Sequence, residues 1–299
     1  MGEPPLSFEP TRIRVERRRF QRPVVVLPAY NAATTLAATV ADIPRDAVAE
    51  IILCDDCSRD DTLAIARRLG LLVLQHDRNR GYGANQKSCY DAACARGADV
   101  VVMLHPDYQY DGRLIPAFLA VLETGVCDIM LGNRVRTRRE ALAGGMPAWK
   151  YAANRALTLI ENVGMGQNLG DFHSGFRVFT REVLDALPYP RFSDDFVFDT
   201  QFLAAAAALG FRIGDAPMPC RYFHEASSIN FRRSCRYGLT TLWTVARFNL
   251  HRLGAWRCPL FVRRQERALS AAPPATDGAS SARLPAASAT PAGRPASDR

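Results

Sequence analysis

VVMLHPDYQYDG, residues 101–112, decides the fold. Val100 joins Val101, Val102, Met103 and Leu104 in an apolar run that reads as a strand buried on both faces. The run stops at His105, Asp107 and Gln109, set at alternate positions beyond its carboxyl end. Ligands of open α/β sheets bind at that end. An Asp107 carboxylate and a Gln109 amide are hard oxygen ligands suited to Mg2+ or Mn2+, ions that take few protein ligands and fill their shell with phosphate and water. The same pattern also fits a strand running into a polar turn, so the rest of the chain has to choose.

Working outward, apolar runs and helical patterns alternate. Strands are expected at residues 24–27, 50–54, 71–75 and 100–104, with helices at 34–42, 60–69 and 82–96 between them. This succession of βαβ units implies a Rossmann-like, mostly parallel sheet flanked by helices. A helix at 111–123 and a strand at 127–131 continue it. The rhythm then changes, to a break at residues 144–147, a helix at 149–163, a glycine-rich loop at 164–170, strands at 176–179 and 212–216, and an alanine-rich helix at 200–209. No internal repeat is evident. Four regions follow: a basic arm (1–22), a main α/β domain (23–228), a basic helical extension (229–267) and a tail (268–299) whose Ala, Pro, Ser, Thr and Gly bury too little to fold.

The 299 residues, 48% hydrophobic and 23% charged, suffice for a large core, and the formal charge is +8. A basic surface suits nucleic acid, anionic lipid or acidic ligands; nucleic acid lacks a helix-turn-helix, zinc or aromatic-basic motif to support it. No run reaches the roughly 18 apolar residues of a membrane span, and the amino terminus lacks a signal peptide, so a cytoplasmic location is expected. Eight scattered cysteines, with no second pair beside Cys54 and Cys57, argue against zinc and disulfides.

Chemistry-bearing groups follow the first two strands. Pro28, Tyr30 and Asn31 lie after the first, and Asp55-Asp56-Cys57-Ser58-Arg59-Asp60-Asp61-Thr62 after the second. A carboxylate there can accept from a nucleobase N–H and a ribose hydroxyl, with Tyr30 stacked on the base. Helix capping accounts for Asp60 and Thr62 but not for a second acid at Asp56.

The series PAYN, DDCSRDDT, NRGYGANQK, HPDYQ, GNR and DFHSGFRVF resembles family 2 glycosyltransferases, within them the polyprenyl-phosphate mannosyl- and glucosyltransferase branch, over residues 24–237. The resemblance implies a glycosyltransferase A fold and an inverting hexosyltransferase using a UDP- or GDP-sugar. Asp56 is then the base or ribose contact, with Asp55 beside it. Asp107 and Gln109 are the metal residues, and His105 stands where the first acid of the family's Asp-x-Asp motif is usual, a departure that adds imidazole character. Ala32 replaces a Glu common in the mannosyltransferases, which leaves the donor base open. Arg134, Ser174 and Arg177 match positions that hold phosphates and the acceptor, and guanidinium forks suit phosphate. Lys87 either reaches the pyrophosphate or lies on the surface.

Asp199 sits where many inverting members place a general base, needed for a hydroxyl acceptor and superfluous for an already anionic lipid phosphate. Around residues 229–253, arginines interleave with Tyr237, Leu239, Leu242, Trp243, Val245, Phe248 and Leu250, the composition either of an interfacial amphipathic helix or of one packed on the domain. The favoured acceptor is a polyprenyl phosphate at a membrane surface. Alternatives are a hydroxyl on a soluble or polysaccharide acceptor, and a catalytically weak nucleotide-sugar-binding protein.

Overall fold

The apolar run at residues 24–27 grows at both ends into β1 (Pro23–Ala29), buried throughout. Val24 and Val26 face one core while Val25 and Leu27 face another, as alternation along a strand dictates. A strand wetted on neither face belongs inside a sheet with helices on both sides. The computed structural model describes residues 16–135, 137–143, 145–221 and 231–264; the expected tail at 268–299 and most of the basic arm lie outside them.

After β1 come α1 (Leu36–Ala41), β2 (Glu50–Asp55), α2 (Thr62–Arg68), β3 (Leu72–Gln75), α3 (Tyr82–Ala95) and β4 (Val100–Leu104). A 3-10 turn (Gly112–Leu114) leads into α4 (Ile115–Glu123), then β5 (Ile129–Asn133), α5 (Arg138–Ala143), α6 (Ala148–Met165), β6 (Phe176–Thr180), α7 (Arg181–Ala186), α8 (Phe198–Ala208), β7 (Ile213–Pro217) and α9 (Phe231–Arg252). The spatial order is β3-β2-β1-β4-β6-β5-β7. Among the described strands only β6 runs against its neighbours, β4 and β5. Its reversal brings the loop before it, residues 171–175, to the same sheet edge as the carboxyl ends of β1, β2 and β4.

Several boundaries differ from expectation for identifiable reasons. The helix expected at 111–123 starts as a 3-10 turn because Asp111 accepts the Arg113 N–H at 3.1 Å. The strand expected at 127–131 begins two residues later, since Asp128 is held by the Arg212 side chain and by Arg18 at 2.7 Å. Gly164 lies inside α6 and not in a loop: a methyl group there would come within 2.3 Å of Val245 in α9, so it is a close-packing site. The helix stops two residues later at Gly166, left-handed at φ 66°. The described part of the 229–267 extension packs on the domain, with Val245, Phe248, Cys258, Leu260 and Phe261 in the core beneath α8.

The start of α3 is clamped to the segment before α8. The Gly83 N–H donates to the Asp194 carbonyl at 2.7 Å, and a Cβ on Gly83 would stand 2.2 Å from the Ser193 carbonyl oxygen. Backbone cannot yield as a flexible side chain can. Gly83→Ala is therefore expected to lower stability by roughly 1–3 kcal/mol in urea titrations, and an unchanged midpoint would contradict this clamp.

Candidate active site

Five segments converge at the ligand edge of the sheet: the ends of β1, β2 and β4, the amino end of α3, and the loop entering β6. The first turn of α8 joins them from below.

Near the end of β1 Pro28 is buried, and beyond it Tyr30 is half exposed and Asn31 adopts a left-handed conformation at φ 51°. Asn31 is fastened to the next loop, its N–H on Ser58 Oγ and its Oδ1 accepting from the Arg59 N–H. Asp55 is fully buried. One oxygen accepts the Ser58 N–H at 3.0 Å, and Oδ1 has no protein partner. Asp56 is also buried, but both its oxygens are engaged: Oδ1 by His76 Nδ1 and the Arg80 N–H, each at 2.7 Å, and Oδ2 by the Gly81 N–H at 2.9 Å. Asp56 thus holds the loop that launches α3. Of the two buried acids at the end of β2, Asp55 and Asp56, Asp55 keeps an oxygen without a protein partner.

Beyond β4, Asp107 Oδ1 accepts the Gln109 N–H at 3.1 Å, and the Gln109 carbonyl accepts from the Arg221 N–H at 2.9 Å. Tyr108 between them is left-handed at φ 56°, with the Arg221 guanidinium 4.1 Å from its ring centre. Burial raises the Asp107 carboxyl above its ordinary value, against the pull of His105 and the Gln109 N–H. Burial lowers His105, against Asp107 and Asp199, and so leaves the imidazole neutral and able to act as a ligand. Among the described residues no three His, Cys, Asp or Glu side chains converge as a metal-ligand group. Asp107 with His105 nonetheless fits a hard divalent ion that draws most of its shell from substrate and water.

His105 connects the segment after β4 to Asp199. Its Nε2 meets the Tyr82 hydroxyl at 2.8 Å, the rings stack at 5.3 Å, and Tyr82 donates to Asp199 Oδ2 at 2.6 Å. Gln86 donates to Asp199 Oδ1 at 3.0 Å, and Arg177 Nη1 lies 3.0 Å from the same oxygen. Asp199 is thus enclosed by three donor side chains. Arg177 is wholly buried; burial works against its charge, and Asp199 together with Tyr82, Tyr90 and Tyr237 outweighs that and keeps it protonated. Its Nε donates to the Ser174 carbonyl at 2.9 Å, so the guanidinium is turned to the chain's own groups. Ser174 Oγ is likewise turned to the backbone, donating to the Gly132 carbonyl at 2.6 Å. Gly175 passes so close to His105 that a Cβ would fall 2.2 Å from the ring.

Arg134 anchors through Nε to buried Asp171 at 2.9 Å, with Nη1 3.4 Å from the Tyr110 hydroxyl. Burial opposes the Asp171 charge, but Arg134 and His173 win and hold the carboxyl below its usual range. Lys87 turns away from this cluster and binds the Phe192 carbonyl at 2.5 Å and Asp194 at 2.7 Å. Its neighbours Tyr82, Gln86 and Tyr90 form the inward line, with Tyr90 donating to Gln86 Oε1 at 2.6 Å. Their i, i+4, i+8 spacing was the available sequence signal for residues that motif reading passed over.

A second buried group lies behind the loop. His173 Nε2 stands 3.1 Å from Glu161 in α6, and its Nδ1 meets the Tyr237 hydroxyl of α9 at 2.6 Å.

A search of protein-family models matches residues 24–187 to "Glycosyl transferase family 2". The chain belongs to that family, and it is a glycosyltransferase. It is 30% identical over 199 residues to a dolichyl-phosphate hexose transferase of Haloferax volcanii, covering 66% of this chain and 82% of that protein. A 170-residue match, also 30% identical, covers 56% of this chain and 39% of the low-salt glycan biosynthesis hexosyltransferase Agl6 from the same organism. Glucosyl-3-phosphoglycerate synthase of Mycobacterium tuberculosis, solved with Mn2+, UDP and phosphoglyceric acid, superposes with a TM-score of 0.56 at 20% identity, over 76% of this chain and 78% of that one. The fold is therefore of the glycosyltransferase A type.

Burial lowers the His173 pKa, but Glu161, aided by Asp171, overrides it and leaves the group above its ordinary value. A raised folded-state pKa stabilises fully below the unfolded value, about 6.5, and that stability fades as pH climbs through the folded value. The stability gap between the wild type and His173→Gln should therefore be widest below about pH 6 and narrow on the alkaline side. A gap that does not vary with pH would contradict the pairing.

Proposed function

We propose that this glycosyltransferase moves a hexose from a nucleoside-diphosphate sugar, UDP- or GDP-linked, to a polyprenyl phosphate at the cytoplasmic face of a membrane, with inversion at the sugar C1. The observation that carries the reading is the enclosure of Asp199. A hydroxyl acceptor needs a base with a free lone pair facing the site. Asp199 instead accepts from Tyr82 and Gln86 and pairs with Arg177, and it is buried. A phosphate acceptor is anionic from the start and attacks without that service. The name of the Haloferax volcanii relative, a dolichyl-phosphate hexose transferase, supports the same acceptor class. UDP in the solved relatives supports the donor class.

In this reading Asp107, with His105 and Gln109, holds Mg2+ or Mn2+, the ions present in solved relatives. When bound, the ion supplies positive charge against the departing diphosphate. The chain's own groups do the positioning. Asp55 presents its unpartnered oxygen to the nucleoside, while Asp56 keeps the 77–81 loop in place. Tyr30 offers an exposed ring to the base. Arg134, anchored on Asp171, presents positive charge to a phosphate. Arg177 and Asp199 hold Tyr82 against His105, and so set where the metal motif points.

The test supplies UDP- and GDP-hexoses with either polyprenyl phosphate or the corresponding polyprenol. Transfer should occur to the phosphate, cease on chelation and return with Mn2+ or Mg2+. Asp107→Asn should lower turnover by on the order of 10²-fold or more while the melting temperature holds. Preferential glycosylation of the polyprenol, or full activity of Asp107→Asn at limiting metal, would overturn the assignment.

A further inference from the structure

Helices α6 and α9 lie side by side and run in the same direction. A Cβ on Gly238 would stand 4.0 Å from Leu157, and seven residues further along both helices Gly164 packs against Val245. Their inner faces close over the core. Their outer faces are unusual, because they too are apolar. Leu159, Ile160 and Val163 stand out from α6, and Leu239 and Trp243 from α9 with Leu253 just past its end, Val163 and Leu253 each 76% exposed. Isolated exposed apolar residues need no explanation, but a stripe of this kind along two adjacent helices does.

The charge around the stripe identifies what covers it. Residues 231–264 contain eight arginines and no Asp or Glu. The one acid of α6, Glu161, is fully buried against His173. Arg233, Arg236, Arg252 and Arg257 are exposed, and Trp256 lies 6.3 Å from Trp243 with the Arg247 guanidinium 5.2 Å from its ring. A second copy docking through this face would set arginine against arginine, with no exposed carboxylate among the described residues of α6 and 231–264, because a two-fold interface pairs a patch with itself. A bilayer of anionic lipid offers hydrocarbon to the stripe and phosphate to the rim, and indole rings favour the boundary between the two.

We propose that the paired outer faces of α6 and α9 form a monotopic membrane-docking surface that lies in the headgroup region of an anionic bilayer. No helix among the described residues is long and apolar enough to cross a membrane, and this mode of attachment requires none. The surface is one hydrogen bond from the site, since Tyr237 of α9 holds His173 in the loop entering β6. Docking thus fixes the site's distance from the lipid headgroups. The inference rests on the lipid-phosphate reading for its purpose but is measured independently of any acceptor.

The full chain is mixed with vesicles of phosphatidylcholine alone or phosphatidylcholine with phosphatidylglycerol, some carrying brominated acyl chains, and followed by flotation and tryptophan fluorescence. It should float with the anionic vesicles and be quenched by bromine. Binding should fall roughly tenfold at high salt, where the rim is screened. Val163→Asp combined with Leu159→Asp, exposed positions remote from the sheet edge, should abolish flotation while the donor still raises the melting temperature as in the wild type. Wild-type protein remaining in the soluble fraction overturns the proposal, as does sedimentation of a dimer that these substitutions dissociate. Flotation accompanied by transfer only to hydroxyls would sustain this surface and refute the acceptor reading.

Discussion

Arg177 and Asp199 meet at 3.0 Å beneath the ligand edge, both buried. Taking two charges out of water is costly, and in such a pair the removal of one partner costs about 3–5 kcal/mol because the other charge is stranded. The surroundings make the burial tolerable. Ser174 and Phe172 offer carbonyls to the guanidinium, and Tyr82 and Gln86 donate to the carboxylate. One pair therefore joins β6, α8 and the amino end of α3, three elements far apart in sequence. Tyr82, held there, sets the position of His105, and through it the strand end that carries Asp107.

This arrangement explains which parts of the molecule were legible in the sequence. β4 was read with its full extent because five consecutive apolar residues bounded by a polar cluster admit little else. β1 and β2 were found for the same reason. The reversal of β6 was not legible, since an apolar run has no direction; only its partners Val101, Val102 and Ile129 define it. Gly164 looked like a loop because glycine weakens helices, and only the approach of Val245 shows that the space is needed.

At the site, motif reading picked out segments that meet at the ligand edge of the sheet but could not say which atoms are already engaged. His105, Asp107, Asp55, Tyr30 and Arg134 gather at the sheet edge. Asp56, Ser174 and Arg177 lie in the same place, yet their polar atoms are directed at the chain itself. Lys87 and Gln86 are adjacent in sequence and turn apart, since neighbouring helical residues point 100° from each other. Tyr82, Gln86, His173 and Glu161 escaped notice because their importance comes from burial and from partners 12 to 117 residues away. A site of this kind separates holding from contacting, and the residues that hold resemble those that contact until the structure shows their partners.

The central claim is that Asp199 works as the counter-charge of Arg177 and the anchor of Tyr82. A double-mutant cycle with Arg177→Met, Asp199→Asn and the double variant, read by urea denaturation, measures this most directly. The account predicts strong coupling, on the order of 3 kcal/mol, with the double variant no less stable than either single one. Additive losses, or an Asp199→Asn variant that is as stable as the wild type and merely inactive, would contradict it and mark Asp199 as a base.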